Sequence, residues 1–381
     1  MNRIQKIFLA FLIYASTLVL MPQAVIYLII AVIGFTFWLF KMQRLGVGKS
    51  DLLYILFIGI SFLIYFIGKP FATSASSKSL NDLIPYSIFI IATINFSKFL
   101  NKEIIRIIFY IILFETIIGI LQYLMGVRYF IEPITSNSQE LGDSDYLYYN
   151  KVYGLSTVTS IFALKIFIGI LLTHYLCFKG KKRSLFYTIL MFGLIVTFNR
   201  TAIVASIIFV LIIIFTQIKQ GNQKLKILTL FGSIISLIFI YNYFDVIENQ
   251  FFRGREVDLS GRDKVFPYYI DFIANYPFFG NYFTKLWVEI TSGRIYHAHS
   301  SYLQTLSNMG LPIGIAIFTY IFSKISKLNY MFIIPMLIYS AFQYGILWGV
   351  SFMDIIFFYI LFVSHKIRPE ERGYFGTITK H

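Results

Sequence analysis

Residues 260–314 read SGRDKVFPYYIDFIANYPFFGNYFTKLWVEITSGRIYHAHSSYLQTLSNMGLPIG. This stretch is polar enough to face water, yet apolar runs long enough to cross a bilayer fence it on both sides. Working outward, those runs fall near 4–20, 23–40, 51–68, 83–97, 104–125, 155–178, 184–198, 202–218 and 225–244, then 301–322, 330–346 and 348–364. About twelve helical crossings are expected, since a hydrocarbon core of about 30 Å needs roughly 20 apolar residues per helix. Continuous apolarity over such lengths excludes barrel strands, which alternate in polarity over about ten residues. Composition agrees: 57% of residues are hydrophobic, 13% are charged and the mean hydropathy is +0.72. The expectation is an all-α polytopic membrane protein, folded as a single integral membrane domain over residues 1–381.

The net charge of +15 belongs to topology. Lys and Arg concentrate in cytoplasmic loops, and a cytoplasmic N-terminus puts most of the 33 basic residues inside, in every second connection. These include Arg3 and Lys6, Lys41 and Arg44, Lys98 and Lys102, Lys179 to Arg183, Lys219, Lys324 and Lys327, and the cytoplasmic tail 365–381. Basic charge spread in this way is no nucleic-acid footprint, and no nucleic-acid partner is expected. The first run follows basic residues as a secretory signal does, but Met21, Pro22 and Gln23 offer no small-residue cleavage site, so an uncleaved helix is expected. Cys177 is the single cysteine and forms no internal disulfide.

Two outer loops are long. The first, 126–154, mixes Glu132, Glu140, Asp143 and Asp145 with Tyr146, Tyr148, Tyr149 and Tyr153. Acids bind sugar hydroxyls and aromatic rings stack on pyranose faces, although a solvated tether has the same composition. Asp143-Ser-Asp145 has the spacing of a metal-binding pair, but with no His or Cys beside it a turn is expected and no metal or other cofactor. The main outer loop, 245–300, repeats Val265, Tyr268, Tyr269, Phe272 and Ile273 at helical spacing, which predicts an amphipathic helix lying along the membrane surface. It also carries Arg262, His297 and His299, while Arg200 stands in a tight outer turn. An arginine fork grips phosphate oxygens in bidentate fashion, and a histidine takes a proton near neutral pH. Snorkelling to the interface is the plainer role for Arg200, a surface charge for Arg262, and an interfacial hydrogen bond for His299. Within the helices, Glu115 and Lys165 are placed to pair across neighbours, whereas Asp354 and His174 lie nearer helix ends and are expected to reach water.

Ser260-Gly261-Arg262, Asn275-Tyr-Pro277-Phe-Phe-Gly280 and His297-Ala-His299-Ser-Ser-Tyr302-Leu-Gln304 with Gly310 together resemble the signature of the O-antigen polymerase and ligase superfamily. Asn199-Arg200-Thr201-Ala202 is similar to that family's Ser-Arg turn, and Lys151-Val-Tyr153-Gly154 to its Arg-x-x-Gly with lysine in place of arginine. The resemblance implies a GT-C-like architecture and an inverting, metal-independent glycosyltransferase acting on undecaprenyl-pyrophosphate-linked oligosaccharides at the periplasmic face of the inner membrane. It implies that Arg200 and Arg262 hold the pyrophosphate and that His299 is the general base, with His297 the weaker candidate. Lys151, Tyr153, Tyr302, Arg294 and His297 become candidates for substrate contact. Membrane lipid and an inner-membrane chain-length regulator are the implied partners. Three functions stay open: a repeat-unit polymerase, a ligase moving polysaccharide to lipid A core, and a lipid-linked oligosaccharide flippase or proton-coupled transporter.

Overall fold

The computed structural model describes residues 2–132, 150–252 and 261–363, apart from 20, 22, 74–84, most of 220–240, 292–293 and 344. Helices dominate. They are α1 (Arg3–Ala15), α2 (Gln23–Leu45), α3 (Lys49–Gly68), α4 (Ser87–Phe99), α5 (Lys102–Leu124), α6 (Thr159–Tyr175), α7 (Gly180–Ile195), α8 (Arg200–Lys219), α9 (Phe244–Phe252), α10 (Arg262–Asn275), α11 (Ser301–Met309), α12 (Leu311–Ser323), α13 (Tyr330–Phe342) and α14 (Phe352–Val363).

Four of them are long and apolar enough to cross a membrane among the described residues: Ala24–Leu45, Lys49–Phe71, Lys102–Leu124 and Arg200–Lys219. Polarity is inverted relative to a water-soluble fold. On α3, Leu52, Leu53, Leu63 and Phe66 are exposed while Asp51 and Ser61 are buried, as expected when the surrounding solvent is hydrocarbon. Asp51 accepts hydrogen bonds from Trp38 Nε1 (2.9 Å), Lys41 Nζ (3.0 Å) and the Gly48 amide (3.0 Å). Helices α6 and α14 are apolar all round and almost wholly buried, which marks them as the middle of the bundle. Around them α2 packs along α4, α4 along α14, and α8 along α13, with α5 meeting α1, α6 and α7. Where α2 crosses α4, Gly34 lies directly against the Ala92 backbone, a position with no room for a Cβ.

Three expectations need correction. The run 301–322 is not one helix: Gly310, at φ 81°, separates α11 from α12. The chain is not wholly α, because Val288–Thr291 and Arg294–Tyr296 form an antiparallel hairpin, β1 and β2. Asp354 does not reach water. It is fully buried and accepts hydrogen bonds from the Leu347 and Trp348 amides and from Ser351 Oγ, tying the preceding loop to the first turn of α14. His174 is half-buried, its ring 6.0 Å from both Phe209 and Phe332. The run near 225–244 and the pair Asp143 and Asp145 lie largely or wholly outside the described residues. Glu115 and Lys165 do pair: Lys165 Nζ lies 2.8 and 2.6 Å from the two carboxylate oxygens, joining α5 to α6.

The two ends of the bundle differ. At one, Lys6 pairs with Glu103, and Lys98 Nζ reaches Tyr54 Oη (2.9 Å) and the Phe362 ring (4.7 Å), so basic helix ends gather there. At the other, Val19 bonds Leu155 (3.2 Å) and Tyr86 bonds Phe283 (3.3 Å) through their backbones. The loop carrying Arg262 and the histidines lies at this second end.

Candidate active site

Helix α10 starts where Gly261 turns at φ 81°, and the motif arginine is its first residue. Val265, Tyr269, Phe272 and Ile273 form its buried face, as the spacing predicts; Tyr268 is 42% exposed and lies off that stripe. Tyr269 anchors the helix by donating to the carbonyls of Leu286 (2.8 Å) and Tyr296 (3.3 Å). Arg262 Nε donates to the carbonyl of Phe342 (3.0 Å), the last residue of α13. Terminal helix carbonyls lack intrahelical donors and carry the negative end of the helix dipole, so a guanidinium is well placed there.

The segment leading into α11 is held from below. Gln304 accepts from the Ala298 amide (2.9 Å) and donates to Leu286 O (2.9 Å) and Asn308 Oδ1 (3.0 Å), while Asn308 Oδ1 accepts from the Leu286 amide (2.9 Å). Motif glycines make this possible. A Cβ on Gly280 would strike Ser307 O, and one on Gly310 would strike Phe278 O, so the loop after α10 and the break after α11 are pressed backbone to backbone. Just above Gln304, His299 adopts φ 50°, a left-handed conformation that a histidine takes at some cost. Its amide donates to His297 Nδ1 (3.1 Å), and the two rings lie 4.2 Å apart. That bond requires His297 Nδ1 to be unprotonated, which engages one of its two nitrogens as an acceptor and leaves His299 as the freer base.

Beneath the histidines is a group that the sequence reading did not single out. Lys285 is buried with Nζ 3.7 Å from the Trp348 ring centroid, and Trp348 lies 5.5 Å from His297 and 6.2 Å from Trp287. Burial pushes the Lys285 ammonium down to about 7, with the Asp354 carboxylate acting in the opposite sense. His297 is pushed well below its ordinary value by burial and by the neighbouring His299, Lys285 and Arg262. His299 is lowered to about 4, first by burial and then by the Arg262 charge. The Arg262 field thus reaches both imidazoles.

Arg200 opens α8, whose first turn is capped by Asn199 Oδ1 accepting from the Ala202 amide (3.0 Å). Helices α8 and α13 pack side by side, and Thr216 near the end of α8 meets Tyr330 at the start of α13 (3.1 Å between hydroxyls). They therefore run antiparallel, and at about 1.5 Å per residue the Arg200 end of α8 lies near the Phe342 end of α13. Arg200 and Arg262 consequently share one end of the bundle. Tyr302 is half-buried and donates to Leu337 O of α13 (3.1 Å). Tyr153 is buried, its ring 6.0 Å from Tyr129, and Lys151 is half-buried beside it. Arg294 is on β2, and its side chain lies outside the described residues. Among the described residues no three His, Cys, Asp or Glu side chains converge.

Fold and site define a helical membrane protein with Arg200, Arg262 and the paired imidazoles of His297 and His299 at one end of the bundle. A family model described as O-antigen ligase matches residues 184–319, from α7 to α12, and so takes in Arg200, Arg262, His297 and His299. Over that stretch the chain is similar to the O-antigen polymerase and ligase superfamily, whose members are glycosyltransferase-like enzymes. No curated protein matches the chain.

Proposed function

We propose that the protein is an O-antigen polymerase: an inverting glycosyltransferase with about twelve crossings and a GT-C-like architecture, joining undecaprenyl-pyrophosphate-linked repeat units at the periplasmic face of the inner membrane. The acceptor hydroxyl attacks the anomeric carbon, the bond to the pyrophosphate oxygen breaks, and the hydroxyl proton passes to His299. Arg200 and Arg262 neutralise the departing pyrophosphate without a metal. Lys151, Tyr153, Tyr302, Arg294 and His297 contact the glycans, and a chain-length regulator of the same membrane is the expected partner.

The observation that carries this reading is the influence of the Arg262 charge on His299, with Arg262 fixed on the end of α13 and His299 held in a left-handed turn within reach of that charge. A neutral base beside a cation suits a reaction that takes up a proton while releasing an anion. Tyrosines and acids in both outer loops favour two glycan substrates and hence polymerisation; transfer of finished polysaccharide to lipid A core is the second reading, favoured by the family description. A flippase or transporter is less well supported, because the polar chemistry clusters at one end rather than along a path.

Arg200→Ala, Arg262→Ala and His299→Ala are each expected to abolish long-chain polysaccharide at normal expression. Three active variants would sink the enzyme reading. Arg262→Lys is also expected to be impaired, since the charge remains but the fork is lost. One gel separates the two transferases: loss of a polymerase leaves core capped with a single repeat unit, and loss of a ligase leaves uncapped core and lipid-linked polymer.

A further inference from the structure

We propose that Arg128 forms an oxyanion-binding position at the outer rim, taking a phosphate or carboxylate of the lipid-linked glycan in partnership with Lys151. This deepens the proposed function and rests on it for the identity of the ligand. Arg128 follows the end of α5 and is only 9% exposed. Its Nε is buried with no hydrogen-bond partner among the described residues, and none of the ion pairs found there includes it. A buried guanidinium nitrogen without a partner costs stability, since among the described residues nothing offsets its desolvation. Nε with the adjacent Nη is also one of the two edges by which arginine holds an oxyanion in bidentate fashion.

Its surroundings are built rather than accidental. The Arg128 carbonyl accepts from the Tyr153 amide (2.9 Å), and Gln122 clamps Gly154 through both amide groups, donating to its carbonyl (2.8 Å) and accepting from its N–H (2.9 Å). These contacts hold the segment Lys151–Gly154 against the end of α5. Behind it, Glu115 accepts from the Leu155 amide and Ser156 Oγ, both at 2.9 Å, while paired with Lys165, so that carboxylate is engaged elsewhere. Tyr123, in the last turn of α5, has its ring 6.2 Å from that of Phe198, two residues before Arg200. Arg128 thus stands at the same end of the bundle as Arg200 and supplies beside Lys151 the planar fork that a lysine lacks.

The test uses the full-length protein in detergent, with inorganic diphosphate and glucuronate as probes in calorimetric titrations. Arg128→Met and Arg128→Lys are expected to weaken binding of one probe by about tenfold or more, lysine failing to restore it because a point charge does not replace the fork. The probe affected names the source, diphosphate for the lipid carrier and glucuronate for an acidic sugar. Unliganded Arg128→Met is expected to melt no lower than wild type, because a buried Nε with no partner among the described residues has been removed. The proposal is overturned if Arg128→Met binds both probes within about twofold of wild type, or if it melts more than about 5 °C lower, which would make the arginine a structural strut. Arg200→Ala and Arg262→Ala run alongside. If they lose diphosphate binding and Arg128→Met keeps both probes, this proposal alone fails; if only the Arg128 variants lose diphosphate, the assignment of Arg200 and Arg262 fails instead.

Discussion

An imidazole lowered to about 4 is uncharged throughout the neutral range, and at His299 the cause is partly electrostatic: burial comes first and the Arg262 charge second. Removing that charge lets the imidazole hold its proton more tightly. In Arg262→Gln the acid limb of the pH–rate profile is therefore expected to move up from about 4 toward the ordinary histidine value near 6.5, followed in any residual activity or by NMR titration of the ring. A bound diphosphate acts in the same direction, so in the wild type the acid limb of kcat should lie at higher pH than that of kcat/KM, the first reporting the complex and the second the free enzyme. Stability has the matching sign. The folded-state affinity for the proton lies below that of the unfolded chain, so the His299 contribution is complete above about pH 6.5 and is lost as pH falls toward 4. His299, Arg262 and Arg200 were legible as candidates because each interrupts an apolar surrounding with a group of useful charge. Lys285 was not, since a lone lysine in an outer loop looks solvated, and only the fold brings Trp348, distant in sequence, over its ammonium.

Helix α10 was readable from the spacing of Val265, Tyr269, Phe272 and Ile273, because a one-sided apolar stripe is a local property. The break at Gly310 was harder. The run around it is apolar enough to pass as one crossing, and the signals present, Gly310 followed by Pro312, also occur within membrane helices. The hairpin of β1 and β2 is too short to leave a period in the sequence. What the break accomplishes is visible in α11, whose Ser301, Gln304, Thr305, Ser307 and Asn308 are all buried, with Ser301, Gln304 and Asn308 bonded to loop backbone or to each other. Gln304→Leu keeps the volume and removes the amide, leaving the Ala298 amide without its partner and the Leu286 carbonyl with Tyr269 alone. We expect a loss of about 1–3 kcal/mol in stability. The turnover rate should fall more than KM rises, because the backbone that aims His299 is loosened while the phosphate contacts stay. Steady-state kinetics on a lipid-linked substrate, together with thermal melting, check this; an unchanged kcat would show that the clamp has no bearing on His299.

At the scale of the molecule, the Glu115–Lys165 pair is a buried ion pair in a medium without water, and breaking one side leaves the other charge stranded. Glu115→Gln alone is expected to cost about 3–5 kcal/mol, and Glu115→Gln with Lys165→Met to recover most of that, as thermal unfolding in detergent can measure. That the two would pair was evident from their depth in neighbouring runs, whereas the further use of Glu115 to hold Leu155 and Ser156 was not, since it depends on a loop folding back.

The short helices have a consequence of their own. α12 and α13 contain 13 residues each, so each spans about 20 Å against a hydrocarbon core of about 30 Å. On that flank the bilayer must pinch, or water must follow the chain inward, which brings head groups down to the level of Arg262 with no need to lift a polyprenyl tail out of its leaflet. Turnover should accordingly slow in vesicles of longer-chain lipids and quicken in shorter ones at equal substrate density, and a rate indifferent to acyl length would show that the membrane does not dip there.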